Sequence, residues 1–421
     1  MTAGRRRVVV TGAGAISPIE NGEVGLEGLW SALAAGRDAF LPIAELQFDR
    51  DAEADRLQRA TAAGVRFDPR DHLEGNYRPI DRTGQLAIVA AQRALAEAGW
   101  TAERRTVQEV GLVLGTMFGS LHTISAFDRR GVEAGPKYVK PLDFANSVIN
   151  AAAGQAAIWL GLRGPNSTVT GGCVAGLQAL AQACELIRSG RSDALLAGGA
   201  DELAFESFFA FQHAGLLGSA DLPRPFDARR DGFVPGEGAA ILMLEAEDSA
   251  TRRGGTTLGI LAGHGTAFDP SRGTDRGSLA SALTRAVGAA LEDAGPSVPI
   301  DAVSSGASGL PTGDAAEAAA LEQVLNSSSG TTPVTAVKSL LGESLGAAGA
   351  FQALVALGII AGRELPGVAG WHQADPDIPA LDLAATPRAI PARRVLLTSV
   401  SFDGFACAVV LDRPGDQETP T

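Results

Sequence analysis

Cysteine is scarce in this sequence: Cys173, Cys184 and Cys407 are the only three in 421 residues. They are too few and too scattered for a disulfide framework, which is typical of proteins in a reducing cytoplasm. Neither they nor the five histidines show the spacing of a zinc site, so no bound metal is predicted. No segment approaches the roughly 18 uninterrupted apolar residues of a membrane span. The brief apolar run at the N-terminus predicts a first strand and not a signal peptide.

Basic residues are also fewer than acidic ones. Lysine and arginine total 35 against 48 aspartates and glutamates, which gives a net charge of −13. This balance argues against general binding to nucleic acid or to a membrane surface, although it allows a local basic patch for an acidic partner. The third glycine of a dinucleotide-binding fingerprint is missing, since Ser17 stands where it would follow Gly12 and Gly14. We therefore predict a tight turn there and no cofactor.

Residues 164–191 predict a short strand, two glycines, a cysteine and a helix, in that order. Apolar residues recur at steps of three and four after Cys173, as they do on one face of a helix. Gly171 and Gly172 permit a sharp turn, and the start of a helix favours a thiolate. This arrangement is typical of a nucleophilic cysteine. The alternative, that Cys173 is a small buried apolar residue, stays open at this point.

The second half of the chain repeats the first. Residues 94–99 (ALAEAG) are echoed by residues 290–295 (ALEDAG), and a Gln-Ala-Leu tripeptide recurs in both halves. We interpret this as a duplicated unit of alternating strands and helices, with domains at 1–250 and 251–421. Two mixed sheets, with helices between and outside them, are expected.

The duplication also predicts which residues meet. The counterpart of the cysteine elbow is the segment 334–350. If the halves pack about a pseudo-twofold axis, Lys338 and Glu343 lie close to Cys173. A further strand end, at residues 304–314, would complete the cleft.

Over nearly its full length the chain resembles a β-ketoacyl synthase of the thiolase-like fold. The stretches that carry the resemblance are VVVTGAGAISP (8–18), NAAAG (150–154), GLRGPNSTV (161–169), LLAGGADE (195–202), RPFDARRDGFVPGEGAAILMLE (224–245), LPTGDAAEAAAL (310–321) and VKSLLGESLGAAGA (337–350). The longest of them is very specific to the family. The resemblance implies an α/β fold of the duplicated α/β/α/β/α type with two mixed five-stranded sheets.

In that family a cysteine receives the acyl chain from an acyl carrier protein. Two histidines and a lysine then assist the decarboxylation of malonyl-carrier protein. The resemblance implies that Cys173 is the nucleophile and Lys338 the lysine. It also implies that Asp314 and Glu317 are acidic residues that brace the cleft.

Neither histidine position of the family holds a histidine here: the resemblance places Gly306 at the first and Glu343 at the second. Histidines donate hydrogen bonds to the enolate that decarboxylation creates, and losing one such donor typically costs about 10²–10³ in rate. Glycine has no donor. An ionised Glu343 would repel the malonyl carboxylate unless Lys338 neutralises it, and it would disfavour a thiolate at Cys173. We therefore expect no efficient condensation by this chain alone.

The chain is most similar to the chain length factor of type II polyketide synthases, a subfamily that has lost catalytic residues. That subunit pairs with a catalytic ketosynthase and shapes the pocket of the growing polyketide. The resemblance implies a ketosynthase α subunit and an acyl carrier protein as partners. Two features depart from it: Cys173 stands where the factors of aromatic systems usually carry glutamine, and FDGFA at 402–406 replaces the glycine-rich loop of active synthases. The retained cysteine leaves open a different branch, such as a reducing polyene type.

As a partner subunit the chain is expected to dimerise through the strand near 193–198 and the irregular segment 117–150. In that segment, Phe118, His122 and Phe144 are predicted to cap or lengthen the partner's pocket.

Two alternatives belong to other classes. In the first, Cys173 accepts an acyl group and passes it to a non-malonyl nucleophile with Glu343 as general base, which requires no histidines. In the second, the Gly-x-Ser-x-Gly pattern at 342–346 marks a hydrolase elbow, but only His372 follows it and no aspartate lies between them. His264, in a His-Gly-Thr segment, lies about 40 residues out of the family's order and is not predicted to be catalytic.

Overall fold

The computed structural model of the protein describes residues 5–19, 26–45, 61–295, 298–325 and 332–415. Strands and helices alternate along much of this chain. The strands are β1 (Val8–Ile16), β2 (Leu41–Pro42), β3 (Thr61–Ala62), β4 (Gly111–Gly115), β5 (Asn166–Val169), β6 (Ala194–Asp201), β7 (Gly238–Ala246), β8 (Gly259–Phe268), β9 (Ala302–Ser305), β10 (Pro333–Thr335), β11 (Asp382–Leu383), β12 (Arg394–Val400) and β13 (Phe405–Asp412). The helices are α1 (Leu26–Ala34), α2 (Arg82–Glu97), α3 (Ala102–Val107), α4 (Leu121–Glu133), α5 (Pro141–Phe144), α6 (Ala151–Leu160), α7 (Ala175–Arg188), α8 (Phe205–His213), α9 (Glu247–Arg252), α10 (Arg276–Ala294), α11 (Pro311–Leu325), α12 (Lys338–Leu341) and α13 (Ala348–Ile360).

Eleven strands of the described residues form one mixed sheet in the order β11-β10-β9-β12-β13-β8-β1-β7-β6-β4-β5, and β2 pairs separately with β3. The two halves of the chain meet where β1 pairs with β8 through only two residue pairs, Val9 with Ile260 and Val10 with Gly259. The predicted α/β class and the mixed strand directions are confirmed. The predicted count of two five-stranded sheets is wrong. The pairing of β1 with β8 joins the two halves into one sheet, and the short β11 adds a sixth strand to the second half.

The duplication is visible in the strand order. The first half runs β5-β4-β6-β7-β1 and the second runs β10-β9-β12-β13-β8, which is the same path taken again. In each half the first three of these strands are mutually parallel, and the last two pair antiparallel. Helices α7 and α13 are therefore equivalent, since they follow the equivalent strands β5 and β10. The domain boundary at residue 250 stays a prediction.

Helices α7 and α13 pack against each other between the two halves. Glycines make the approach close: a Cβ at Gly176 would lie 2.6 Å from the carbonyl oxygen of Gly346, and one at Gly349 would lie 2.6 Å from Cγ of Leu177. Both helices contribute to one buried core cluster with residues from the two halves of the sheet. Because interiors are close-packed, this contact fixes the turns that precede the two helices relative to each other.

The free edge of the first half is β5. Its four residues are exposed or half-buried, and β4 is its one partner strand among the described residues. By contrast, β6 lies between β4 and β7 with all eight residues buried. The prediction that the strand near 193–198 mediates dimerisation is therefore wrong, because an interior strand has no free hydrogen-bonding edge.

The segment 117–150 is more regular than predicted, since it contains α4, α5 and a 3-10 turn at Pro136–Tyr138. No residue of α4 is fully buried, so this helix lies on the surface. Within the described residues, no helix has both the length and the apolar character needed to cross a membrane.

Candidate functional site

Cys173 lies in a 3-10 turn at Gly172–Val174, between β5 and α7. This is the strand–glycine–helix elbow that the sequence predicts. Gly172 has a φ of +59°, and a Cβ there would lie 2.2 Å from Oγ of Ser401. Both the backbone conformation and the space therefore require glycine at this position.

The Cys173 thiol is buried, with 2% of the residue exposed. Burial raises the pKa of Cys173 well above its ordinary value, and the charge of Glu343 raises it further, while Lys338 and Ser401 act in the opposite direction. The helix start favours a thiolate, as the sequence predicts, but loss of solvation outweighs this contribution. The expectation that Glu343 disfavours the thiolate is consistent with this balance.

Lys338 and Glu343 form a buried ion pair. The distance from Lys338 Nζ to Glu343 Oε2 is 2.7 Å, and each side chain is 2% exposed. The other oxygen, Oε1, accepts a hydrogen bond of 3.0 Å from the backbone N–H of Leu345. Burial alone would lower the pKa of Lys338, but the charge of Glu343 and this hydrogen-bonded contact raise it overall. Lys338 is thus kept protonated, and its ammonium group donates a hydrogen bond to Glu343.

Gly306 follows β9 and faces β12. Its backbone N–H donates a hydrogen bond of 3.1 Å to Oε1 of Glu317. A Cβ at this position would lie 2.5 Å from Oγ and 2.8 Å from Cα of Ser399. The neighbouring strand therefore leaves no room for a side chain at Gly306.

Asp314 and Glu317 lie on α11 and are buried. Asp314 accepts hydrogen bonds from the backbone N–H groups of Phe226, Ser308 and Gly309, at 2.9–3.2 Å. Burial raises the pKa of Asp314 to about 6. Asp314 thereby ties the loop after β9 to the segment before β7, and the bracing role implied by the resemblance stays a prediction.

Glu317 is expected to make the stability of the protein depend on pH. Burial raises the pKa of Glu317 to about 7 from an ordinary 4.5. The folded state therefore favours the protonated side chain of Glu317. The stability that this form contributes is fully present below about pH 4.5 and is lost as the pH rises through about 7. In urea titrations, Glu317→Gln should reduce the loss of stability between pH 5 and pH 8 by roughly 2–3 kcal/mol. The exposed Glu322 of the same helix is the control: Glu322→Gln should leave the pH dependence unchanged. Identical profiles for the Glu317 variant and the parent would refute the assignment.

A cavity of about 320 Å³ opens beside these residues. It is lined by Cys173, Glu343 and Gly306, by the start of α11, by the segment from Val400 to Phe402, and by Leu216 and Thr274. The structure thus brings Glu343 and the strand end at 304–314 to Cys173, as the duplication predicted, and Lys338 contacts Glu343 without lining the cavity. Among the described lining residues there is no histidine, although the chain has five. Within all the residues that the structure describes, no group of three or more histidine, cysteine, aspartate or glutamate side chains is arranged to hold a metal ion.

The histidines that remained as candidates lie elsewhere. His264 is on β8, with Nε2 3.0 Å from Oε1 of Glu185. His372 donates its backbone N–H to Asp227. Ser344 of the Gly-x-Ser-x-Gly pattern is buried, and neither histidine lines the cavity near it. The hydrolase alternative therefore gains no support.

A cluster of phenylalanines fills the space next to Cys173. Phe211 meets Phe233 at a ring-centroid distance of 5.2 Å and Phe402 at 5.8 Å, and Phe118 lies 6.0 Å from Phe211. Cys173 belongs to the same apolar cluster. Sequence reasoning identified only Phe118, because the four rings come from four distant segments. No local pattern groups the four rings, although Phe233 lies in the family-like stretch 224–245.

The other two residues predicted to shape a pocket lie apart from this cluster. His122 is near the start of α4, with Nδ1 3.6 Å from Oε1 of Glu206. Phe144 is 62% exposed, and its ring contacts that of Phe127 at 6.1 Å. Both lie in the surface segment 117–150, so a role at a subunit contact stays a prediction for them.

Two sequence models of known protein domains match most of the chain. The sequence model of the β-ketoacyl synthase N-terminal domain matches residues 5–250, and that of the β-ketoacyl synthase C-terminal domain matches residues 258–372. A Streptomyces halstedii protein assigned as polyketide β-ketoacyl synthase 1 is 34% identical over 429 aligned positions, which cover 97% of this chain and 98% of that protein.

Two solved structures are similar over nearly the whole chain. One is described as the ishigamide ketosynthase/chain length factor, with a TM-score of 0.87 and 32% identity over 98% of this chain and all of that one. The other is a type II polyketide synthase acyl-carrier protein in complex with its ketosynthase bound to the hexaketide. Its TM-score is 0.86, with 26% identity over 97% of this chain and 99% of that one.

Proposed function

The chain belongs to the β-ketoacyl synthase family, and within it we propose the role of a chain length factor. In this role it forms a heterodimer with a catalytic ketosynthase α subunit. It helps to shape the pocket in which a polyketide grows on an acyl carrier protein, and it does not itself catalyse the condensation.

The observation that carries the proposal is the buried pair of Lys338 and Glu343 beside Cys173. Decarboxylation of a malonyl group leaves an enolate, which needs hydrogen-bond donors aimed at its oxygen. At this point the site presents the carboxylate of Glu343, and the ammonium of Lys338 is already engaged with it. Gly306, at the other position, has no room for a donor side chain. The site therefore lacks what a condensing enzyme requires.

The acyltransferase alternative is supported less well. It needs a reactive Cys173 and a free general base at Glu343. Burial and neighbouring carboxylates raise the pKa of Cys173, and both oxygens of Glu343 already accept hydrogen bonds, from Lys338 and Leu345. Neither requirement is met in this arrangement.

A surface suited to the ketosynthase partner lies around the free edge of β5. Helix α6 packs beside this strand, where Asn166 donates a hydrogen bond to the carbonyl of Ala153. Large apolar side chains are exposed in α6 and in the segment before it: Val132, Tyr138, Leu142, Phe144, Val148, Ile149 and Ile158. An open strand edge together with exposed apolar side chains favours a protein contact. The ishigamide ketosynthase/chain length factor, similar over 98% of this chain, supports a partner of the same family.

The proposal is tested by co-expressing the chain with a ketosynthase α subunit and an acyl carrier protein. Gel filtration should show a heterodimer, and polyketide should form only when both subunits are present. Polyketide formation by this chain and the carrier protein alone would contradict the proposal.

Product length distinguishes a chain length factor from a passive scaffold. Phe118 lies at the start of the surface segment and contacts the phenylalanine cluster next to Cys173. Phe118→Ala in the heterodimer is therefore expected to shift the product distribution towards longer chains, as measured by mass spectrometry. Phe209→Ala, which removes a half-exposed ring on α8 that stacks on Phe205, is the matched control and should leave the distribution unchanged.

A further inference from the structure

We propose that a cavity at the C-terminal end of α7 binds a small anion with two phosphate groups, either free diphosphate or the diphosphate of a nucleotide. The cavity has a volume of about 260 Å³. Its walls come from the residues just before β1, the last residues of α7 and α10, the start of β8, and the segments at the start of β12 and the end of β13. No described residue lines both this cavity and the one at Cys173, so the inference is independent of the proposed function.

The two cavities lie at opposite ends of α7. Cys173 lies in the turn before this helix, and Arg188 is the last residue of the helix and lines the second cavity. A helix of 14 residues is roughly 21 Å long, at 1.5 Å per residue. A small ligand at Arg188 therefore cannot reach Cys173, and the second cavity has to be explained by its own residues.

The wall of the second cavity is basic. Six arginines line it: Arg5, Arg6, Arg7, Arg188, Arg393 and Arg413. Two aspartates, Asp293 and Asp412, are the acidic residues among its described lining. The net charge of the chain is −13, so this excess of arginine is a local reversal of sign. The planar fork of N–H donors on a guanidinium matches the oxygens of a phosphate group, which makes clustered arginines a typical phosphate site.

Arginines already neutralise both aspartates of the wall. Asp293 accepts a hydrogen bond of 2.7 Å from Arg188 and another from Arg5. Asp412 accepts two hydrogen bonds of 2.8 Å from Arg394, which does not line the cavity. Arg394 also donates to two carbonyls at the end of α10, where the helix dipole is negative. The negative groups beside the cavity are therefore compensated without the other lining arginines.

Several lining arginines keep donors available for a ligand. Arg6 pairs with Asp193 and Asp248, whose side chains are 57% and 56% exposed, and pairs of this kind are weak. Arg413 is exposed and has no charged partner among the described residues. Nε of Arg188 is buried and has no hydrogen-bond partner in the same part of the chain. Because a guanidinium carries five N–H donors, these side chains can bind an anion without giving up their present contacts.

The size of the cavity favours a small ligand over a protein surface. Its volume is far larger than the roughly 30 Å³ that one water molecule occupies in the liquid, so it has room for a diphosphate. Its arginines come from three separate parts of the chain: the N-terminal residues, the end of α7, and the ends of β12 and β13. A bound diphosphate would link these parts and is expected to raise the thermal midpoint of the chain.

Isothermal titration calorimetry of the full-length chain with inorganic pyrophosphate, without divalent cations, tests the inference. Pyrophosphate should bind at one site per chain and at least 10-fold more tightly than sulfate at equal ionic strength. ADP distinguishes the two sources of the diphosphate. Tighter binding of ADP would identify a nucleotide as the ligand, and equal or weaker binding would identify free diphosphate.

Variants of the exposed arginines locate the binding. Arg413→Gln is expected to weaken pyrophosphate binding about 10-fold, because one charge-assisted hydrogen bond is lost. Adding Arg393→Gln should weaken it further. Both arginines are exposed, so the fold should persist, as checked by thermal melting without ligand. Arg66→Gln replaces an exposed arginine that does not line the cavity, and this matched control should bind like the parent.

Three results would overturn the inference. Pyrophosphate binding no tighter than sulfate binding would mean that the arginines serve to hold parts of the chain together by ion pairs. Parental affinity in the folded double variant would place the bound anion elsewhere. Displacement of pyrophosphate by a lower concentration of poly-glutamate would indicate an acidic protein as the partner.

Discussion

Replacing Glu343 by glutamine is expected to lower the free energy of unfolding by about 3–5 kcal/mol. The variant leaves the ammonium of Lys338 buried at 2% exposure without its counter-charge. Removing one partner of a buried ion pair costs more than the pair contributes, because the remaining charge has lost its solvation. Urea denaturation at neutral pH, followed by circular dichroism, measures the change.

Two further variants separate this explanation from a loss of packing. The double variant Lys338→Met, Glu343→Leu removes both charges and should recover most of the lost stability. Asp248→Asn disrupts surface pairs with Arg252 and Arg6 and should change stability by less than about 1 kcal/mol. If Glu343→Gln were as stable as the parent, the pair would not hold opposite charges. The main observation behind the proposed function would then be lost.

Replacing Gly306 by histidine is expected to destabilise the protein by about 3 kcal/mol or more, instead of restoring a condensing site. The added Cβ would lie 2.5–2.8 Å from Oγ, Cβ and Cα of Ser399, so β12 would have to move. A lower thermal midpoint, with no gain in malonyl decarboxylation, is the expected result. Ser399→Gly in the same chain should recover part of the stability, because two of the three clashing atoms are removed.

Gly288 provides the control for this substitution. It lies within α10, and a Cβ there would meet nothing within 4 Å. Gly288→Ala should therefore be neutral or stabilising by roughly 0.5–1 kcal/mol. A folded Gly306→His variant of parental stability would show that the glycine is not required by packing, and that the site could accept the family's histidine.

These two predictions make the same point about the candidate site. The positions where the resemblance expects histidines are not simply truncated. Glu343 is part of a buried ion pair, and Gly306 is in contact with the neighbouring strand. This arrangement supports the proposed role of a non-catalytic partner subunit.

Local patterns predicted the elements that depend on local chemistry. The glycines before Cys173 and the periodicity after it indicated the elbow, which the structure contains. The echo between the two halves indicated a duplication, and the two halves have the same strand order. Pairing the elbow with its counterpart then predicted that Lys338 and Glu343 lie near Cys173. Cys173 and Glu343 do line one cavity, and Lys338 is paired with Glu343 beside it.

The errors come from properties that depend on tertiary structure. The protonation of Cys173 is set by how deeply the turn is buried and by carboxylates from distant segments, which a helix-start argument does not include. The strand near 193–198 was assigned to a dimer contact, but its continuous run of small apolar residues is typical of an interior strand. The phenylalanine cluster is assembled from four separate segments, so no local pattern indicated it.

The most direct test of the central claim is polyketide production by the heterodimer when Cys173 of this chain is replaced by alanine. If the chain acts as a chain length factor, product amount and length should be unchanged. The corresponding cysteine-to-alanine replacement in the ketosynthase partner should abolish the product. Loss of polyketide on Cys173→Ala in this chain, with the heterodimer still intact by gel filtration, would contradict the account.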